Sequence, residues 1–137
     1  MAGAEKPIGI ALLICDRVIT DAVTHEKTLV STFNQVLAKS LPCVHPRMTI
    51  FVAVTNGRGT TEAEIRCVNE SHGQIEVFGM KGSIPFADPN QVVEMSFRFN
   101  NVTFANPGLH CIEFLCDGDL VLQSRFNVGI VGPGHST

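Results

Sequence analysis

The residues best placed to do chemistry fall in positions 106–118, NPGLHCIEFLCDG, where a His stands beside a Cys and a second Cys and an Asp follow five and six residues on. Such a set could hold a metal ion or run thiol redox chemistry. Strand geometry argues against both. In an extended chain successive side chains point to opposite faces, so His110 and Cys111 diverge. Cys116 shares a face with His110 but lies about 20 Å along the strand. The segment reads as the closing hairpin of a β-sheet, with His110, Ile112, Phe114 and Cys116 on one face and Leu109, Cys111, Glu113 and Leu115 on the other.

The remaining candidates are weaker. Cys43-Val-His45 has metal-ligand residue types, with Cys15 and His25 as distant helpers, but Pro42 and Pro46 bracket it and make it an extended connection. Asn56-Gly-Arg-Gly59-Thr has the glycines of an anion loop without its Lys or a following helix. An Asn-Gly pair between two alternating runs predicts a tight hairpin, whose two central residues need positive φ. Ser71-His72 and His25-Glu26 are sequence neighbours and do not present a nucleophile to a base. Glu62 and Glu64 fall on the polar face of a strand, and Asp117 and Asp119 in a turn, so neither is an acid–base pair. No catalytic residue, metal ligand or cofactor site is expected.

The elements that must position these residues are strands. Candidates run over 8–16, 27–38, 47–56, 60–70, 74–81, 91–100, 108–117 and 120–131, separated by clusters of Gly, Pro, Asn and Asp. Val93, Met95, Phe97 and Phe99 alternate with polar residues, as do Ala63, Ile65 and Cys67, and Leu120, Leu122, Phe126, Val128 and Ile130. Residues 27–42 could be placed on a helix, but Thr28, Val30, Thr32 and Val36 are β-branched and no cap precedes them. The expectation is an all-β fold: an Ig-like, two-sheet, antiparallel β-sandwich of seven to nine strands, with Met95, Phe97, Phe99, Ile112, Phe114 and Phe126 in one core.

A chain of 137 residues, 45% hydrophobic and 17% charged, makes one globular domain. Its expected bounds are 8–131, between flexible ends at 1–7 and 132–137 rich in Gly, Pro and small polar residues. A net charge of −3 without a basic stripe, and no Trp or Tyr, argue against nucleic acid as a partner. Ile8–Cys15 is too short and too abruptly ended to be a signal peptide, and no run reaches membrane-spanning length. Five cysteines, an odd number, in a chain without a targeting signal imply free thiols in the cytoplasm. Asn69-Glu-Ser71 and Asn101-Val-Thr103 match the glycosylation pattern only by chance on that reading.

Three stretches carry a resemblance: CDRVITDAVTHEKTLVSTF, LPCVHPRMTIFVAV and FNNVTFANPGLHCIEFLCDG, residues 15–33, 41–54 and 99–118. Together they resemble a bacterial family of small Ig-like β-sandwich proteins with no assigned function. The resemblance implies fold and compartment and no catalytic residue. His110 stands where such domains commonly place a Tyr that bonds back to the chain.

Function on this reading is non-enzymatic and works through protein–protein contacts, as in an accessory or assembly subunit. The alternative is a small-ligand binding protein or enzyme with a site built from loops at one end, around His25, His45 and Arg47. Strands 8–15 and 47–56 are apolar on both faces, and Leu109, Cys111 and Leu115 add an apolar outer row to the last hairpin. If these strands are neighbours, Leu13, Phe51 and Leu115 belong to one apolar patch that favours a homodimer.

Overall fold

The computed structural model describes residues 6–131, so the ends expected to be flexible fall largely outside it; Pro7, counted with the first of them, is buried. Nine strands, and no helix among the described residues, follow one another: β1 (Ile8–Thr20), β2 (Lys27–Thr32), β3 (Gln35–Ala38), β4 (Cys43–Thr55), β5 (Gly59–Asn69), β6 (Ile75–Phe86), β7 (Val93–Phe104), β8 (Gly108–Cys116) and β9 (Asp119–Ile130). They form a four-stranded sheet in the order β2-β1-β4-β7 and a five-stranded sheet in the order β3-β9-β8-β5-β6. The two sheets pack as a β-sandwich. Every pairing is antiparallel except β3 with β9, which is parallel.

The core is the set of inward positions that alternation assigns. Leu12, Ile14, Met48, Ile50, Val52, Val54, Val102 and Phe104 from one sheet meet Ile65, Cys67, Ile84, Phe86, Ile112, Phe114, Phe126 and Val128 from the other. All six side chains expected in the core pack there. Ile112, Phe114 and Phe126 are fully buried, while Met95, Phe97 and Phe99 are half-buried because β7 is an edge strand.

Two expectations are corrected. The single strand over residues 27–38 is two strands in different sheets. The run breaks at Phe33 and Asn34, so β2 stays beside β1 through Thr32 while β3 crosses to β9. Asn56-Gly57 is not a hairpin turn either. Positive φ occurs at Asn56 and Gly59 rather than at two adjacent residues, and the segment carries the chain from β4 in one sheet to β5 in the other.

A bend in β1 shapes the outer surface. Its first half pairs with β4 from Ile8 to Cys15, and its second half pairs with β2 from Cys15 to Thr20. Lys27 of β2 forms an ion pair with Glu94 of β7. In a flat sheet those residues would sit three strand spacings, about 14 Å, apart and offset by nine positions, about 30 Å. The β1–β2 hairpin therefore folds back across the outer face of β4. Phe51 and Ala53 lie on that outer face and are nevertheless buried, which the overlying hairpin explains.

Candidate functional site

The His110 corner is built by the β7–β8 turn. Gly108 takes φ 125, a value that glycine permits, and the turn brings the start of β8 against the β5–β6 connection. Leu109 N donates to Ser71 Oγ, and Asn69 Nδ2 donates to the Pro107 carbonyl. Asn69 Oδ1 accepts from Ser71 N, so this buried amide is spent on structure and has no room for a glycan.

His110 is 1% exposed and lies between the rings of Phe104 and Phe126, at 5.4 and 5.2 Å. Its Nδ1 is 3.0 Å from the Gly108 carbonyl oxygen. A carbonyl only accepts, so Nδ1 carries the proton and Nε2 keeps its lone pair. Every fully buried side-chain nitrogen and oxygen among the described residues has a hydrogen-bond partner. Nε2 makes no such bond, so it opens onto the neighbouring cavity of about 160 Å³, lined by His72, Thr103 and Asn106 among others. Burial holds the imidazole below the ordinary histidine pKa, the Gly108 bond opposes this, and His72 adds to it. The ring is neutral at pH 7 and braces the corner. Among the described residues, no three His, Cys, Asp or Glu side chains converge as metal ligands.

The loop residues of the alternative reading do not form one site. Arg47 makes a two-pronged bond to Asp16, Nε to Oδ1 at 3.1 Å and Nη2 to Oδ2 at 2.7 Å. That bond, with the charges of Arg47, Arg17 and His45, holds the Asp16 carboxyl below its usual range. His45 packs against Phe33 at 5.3 Å. His25 sits in the β1–β2 turn, at the end of the hairpin that reaches Glu94. Glu94 pairs with Ala53 and His45 with Val102, so the two ends are eight positions apart along β4, about 26 Å.

The five cysteines are free. Burial raises the Cys67 thiol well above its ordinary value and pushes Cys111 and Cys116 up to about 11, which leaves them protonated and poor nucleophiles.

Leu13, Phe51 and Leu115 do not share a surface. Leu13 and Phe51 are register partners on the outer face of the four-stranded sheet, while Leu115 belongs to the other sheet. Phe51 is 7% and Leu115 8% exposed, whereas Leu13 is 45% exposed. The outer face of the five-stranded sheet carries the ion pairs Arg66–Glu113 and Arg125–Glu70 beside Val68, Cys111 and Leu115.

Sequence reasoning missed two features. From Ile8 to Leu13, β1 has a partner strand on one side only. Between β6 and β7 a cleft of about 420 Å³ opens into the sandwich. The sign of the cleft was a glycine on the apolar parity of β6, at position 82.

These features define a two-sheet β-sandwich. Residues 10–129 match a family of unknown function, DUF6941, and the chain belongs to that family. None of the proteins with curated descriptions matches it in sequence. Similar solved structures include Pseudomonas fluorescens alkylpurine DNA glycosylase AlkC bound to DNA containing an abasic site analog, at 8% identity and TM-score 0.48, covering 86% of this chain and 30% of that one. Another is a beta-glucosidase from Listeria innocua in complex with isofagomine, at 10% identity and TM-score 0.46, covering 93% of this chain and 17% of that one. The chain thus spans less than a third of either structure, and neither likeness bears on what it does. Among the described residues, no helix is long and apolar enough to cross a membrane.

Proposed function

We propose that this protein is a non-enzymatic β-sandwich that acts through protein–protein contact, and that the contact is strand addition along the open edge of β1. One observation supports the reading. Among the described residues, the other open edges are blunted: β2 by Lys27 and the irregular Ser31, β6 by Lys81 and Pro85, β7 by Glu94 and Arg98, and the first half of β9 by Asp119 and Arg125, while β3 has only four residues. Charges, prolines and short strands are how natural sheets discourage edge pairing. Ile8–Leu13 has no charge and no proline, and it exposes Ile8, Ile10 and Leu13.

The partner in this proposal is a second copy. An uncharged edge faces itself across a two-fold axis without repulsion, and antiparallel pairing of β1 with its copy would extend one sheet into the next. The proposal also takes the sandwich to be immunoglobulin-like. The orders β1-β4-β7 and β5-β8-β9 match the A-B-E and C-F-G neighbours of that fold, and the back-bonded His110 takes the corner place near the start of strand F. A bacterial, cytoplasmic setting belongs to the same proposal, supported by the odd count of free thiols.

Light scattering tests it. The wild type is expected to be a dimer, and Ile10→Lys and Leu13→Asp, both at exposed positions, are expected to give folded monomers. A wild type that stays monomeric at tens of micromolar, or charged variants that keep the dimer mass, would overturn the proposal.

A further inference from the structure

Given pairing along the β1 edge, on which this rests, we infer that β1 meets its copy in a single register, with Ile8 of each protomer opposite Leu13 of its partner, and that the bulge in β1 selects it.

The open stretch of the edge has two natural ends. Phe33 N donates to the Ile14 carbonyl at 3.0 Å, so beyond Leu13 the edge is already taken by the chain leaving β2. Before Ile8 stands Pro7, which has no N–H to offer a neighbouring strand. Ile8–Leu13 remains, without a charged side chain to repel its own copy.

Directly opposite residues of an antiparallel pair point to the same face, so a register is open only where the faces match. In β4 the inward residues are Ile50, Val52 and Val54. Gly9, Leu12 and Ile14 pair with Val54, Val52 and Ile50 and face inward with them. A Cβ built on Gly9 would lie 2.5 Å from Leu122 of β9, which confirms its direction. Ile8, Ala11 and Leu13 pair with Thr55, Ala53 and Phe51 and face outward. Ile10 is the extra residue of a bulge between Gly9 and Ala11, and at 52% exposure it also points outward.

From Ile8 to Leu13 the faces therefore run outward, inward, outward, outward, inward, outward. That order is the same from either end, whereas a regular strand of this length, alternating without a break, reads differently from its two ends. An antiparallel copy matches it face for face when Ile8 meets Leu13, Gly9 meets Leu12 and Ile10 meets Ala11. A shift of one position sets Gly9 against Leu13 or Ile8 against Leu12, inward against outward. Larger shifts that match faces pair no more than half of the stretch. In the matched register the two bulges meet at the two-fold axis. The exposed side chains of Ile8 and Leu13 cover one another twice on the outer face, and on the inner face Leu122, seated at Gly9, meets the partner's Leu12.

Disulfide trapping tests the register, in a Cys43→Ser background that removes the half-exposed thiol. Opposite residues of an antiparallel pair stand about 4.5–5.5 Å apart at Cα, within disulfide reach, whereas positions 8 and 13 of one strand are about 16 Å apart. Ile8→Cys combined with Leu13→Cys is expected, on mild oxidation, to turn most of the protein into a reduction-sensitive dimer whose peptide map joins position 8 to position 13. Neither substitution alone is expected to cross-link. Charge exchange is a second measure: adding Ile8→Lys to the monomeric Leu13→Asp chain sets opposite charges against each other twice across the axis and is expected to restore dimer mass in light scattering. Either result supports the register. A wild-type dimer that shows neither, or that is trapped between like positions by a single substitution, overturns the register and leaves the edge reading standing. A wild-type monomer overturns both.

Discussion

Lys27 Nζ lies 3.6 Å from Glu94 Oε1 although the two residues belong to the opposite outer strands of one sheet. The contact marks how far the β1–β2 hairpin folds over the sheet, but the pair is solvent-accessible and contributes little to holding it there. Burial does more. Val18 and Leu29, opposite one another in the hairpin, are half-buried, and Phe51 beneath it is almost closed to solvent.

The first prediction follows from that contrast. Lys27→Ala is expected to cost less than about 1 kcal/mol, as exposed ion pairs do. Phe51→Ala is expected to cost about 3–5 kcal/mol, because it removes a buried ring from beneath the hairpin. Urea unfolding of both variants, with amide exchange on residues 16–32, measures the difference.

Acid sensitivity is the second. The folded protein holds His110 below its ordinary pKa of 6.5, so the unfolded chain binds the proton more readily. The stability this group contributes is complete above pH 6.5, falls as the pH drops below that value, and levels off once the folded imidazole is also protonated. Stability of wild type and His110→Phe, measured from pH 8 to pH 5, is expected to differ in slope only below about 6.5.

Thiol reactivity supplies a third. Cys43 is half-exposed and the other four cysteines are buried. Under native conditions iodoacetamide is expected to modify Cys43 first, with Cys67, Cys111 and Cys116 protected until the protein unfolds, as peptide mass mapping would show. Rapid native labelling of Cys111 would contradict the burial described for it.

The fourth compares two glycines. A Cβ at Gly57 would lie 2.4 Å from the Phe86 ring, whereas at Gly82 it meets open space. Gly57→Ala is expected to destabilise by about 1–3 kcal/mol through overpacking, while Gly82→Ala is expected to be neutral or mildly stabilising. Thermal unfolding of the pair distinguishes them.

Alternation carried most of the fold. Val93 to Phe99 has one polar and one apolar parity, and Met95, Phe97 and Phe99 pack on the face that parity assigns, as Ile112, Phe114 and Cys116 of β8 do. Partnership between strands was less legible. Asn56-Gly57 looks like a hairpin because local turn chemistry does not record whether the next strand returns to the same sheet, and here it does not. Residues 27–38 read as one strand because the break at Phe33 and Asn34 carries no Gly or Pro to mark it. Both faces of β4 are apolar, which is a sign of cover; the cover is the chain's own hairpin, a tertiary event invisible to period-2 counting. The cleft was half legible. Gly82 stood on the apolar parity, but that parity was lost once the strand was ended at 81 instead of Phe86.

The chain segment from Lys27 to Ala38 belongs to both sheets, with β2 hydrogen-bonded to β1 and β3 to β9. Neither sheet is complete until the other has formed, since the residues that finish one are covalently continuous with those that finish the other, and β3 must wait for a strand nearly a hundred positions later in the chain. Closing so long a loop is slow, and its entropic cost is met only when both halves are in place. The sandwich is therefore expected to fold late and all at once, with a single sigmoidal unfolding curve shared by every probe and no half-formed sheet accumulating on the way.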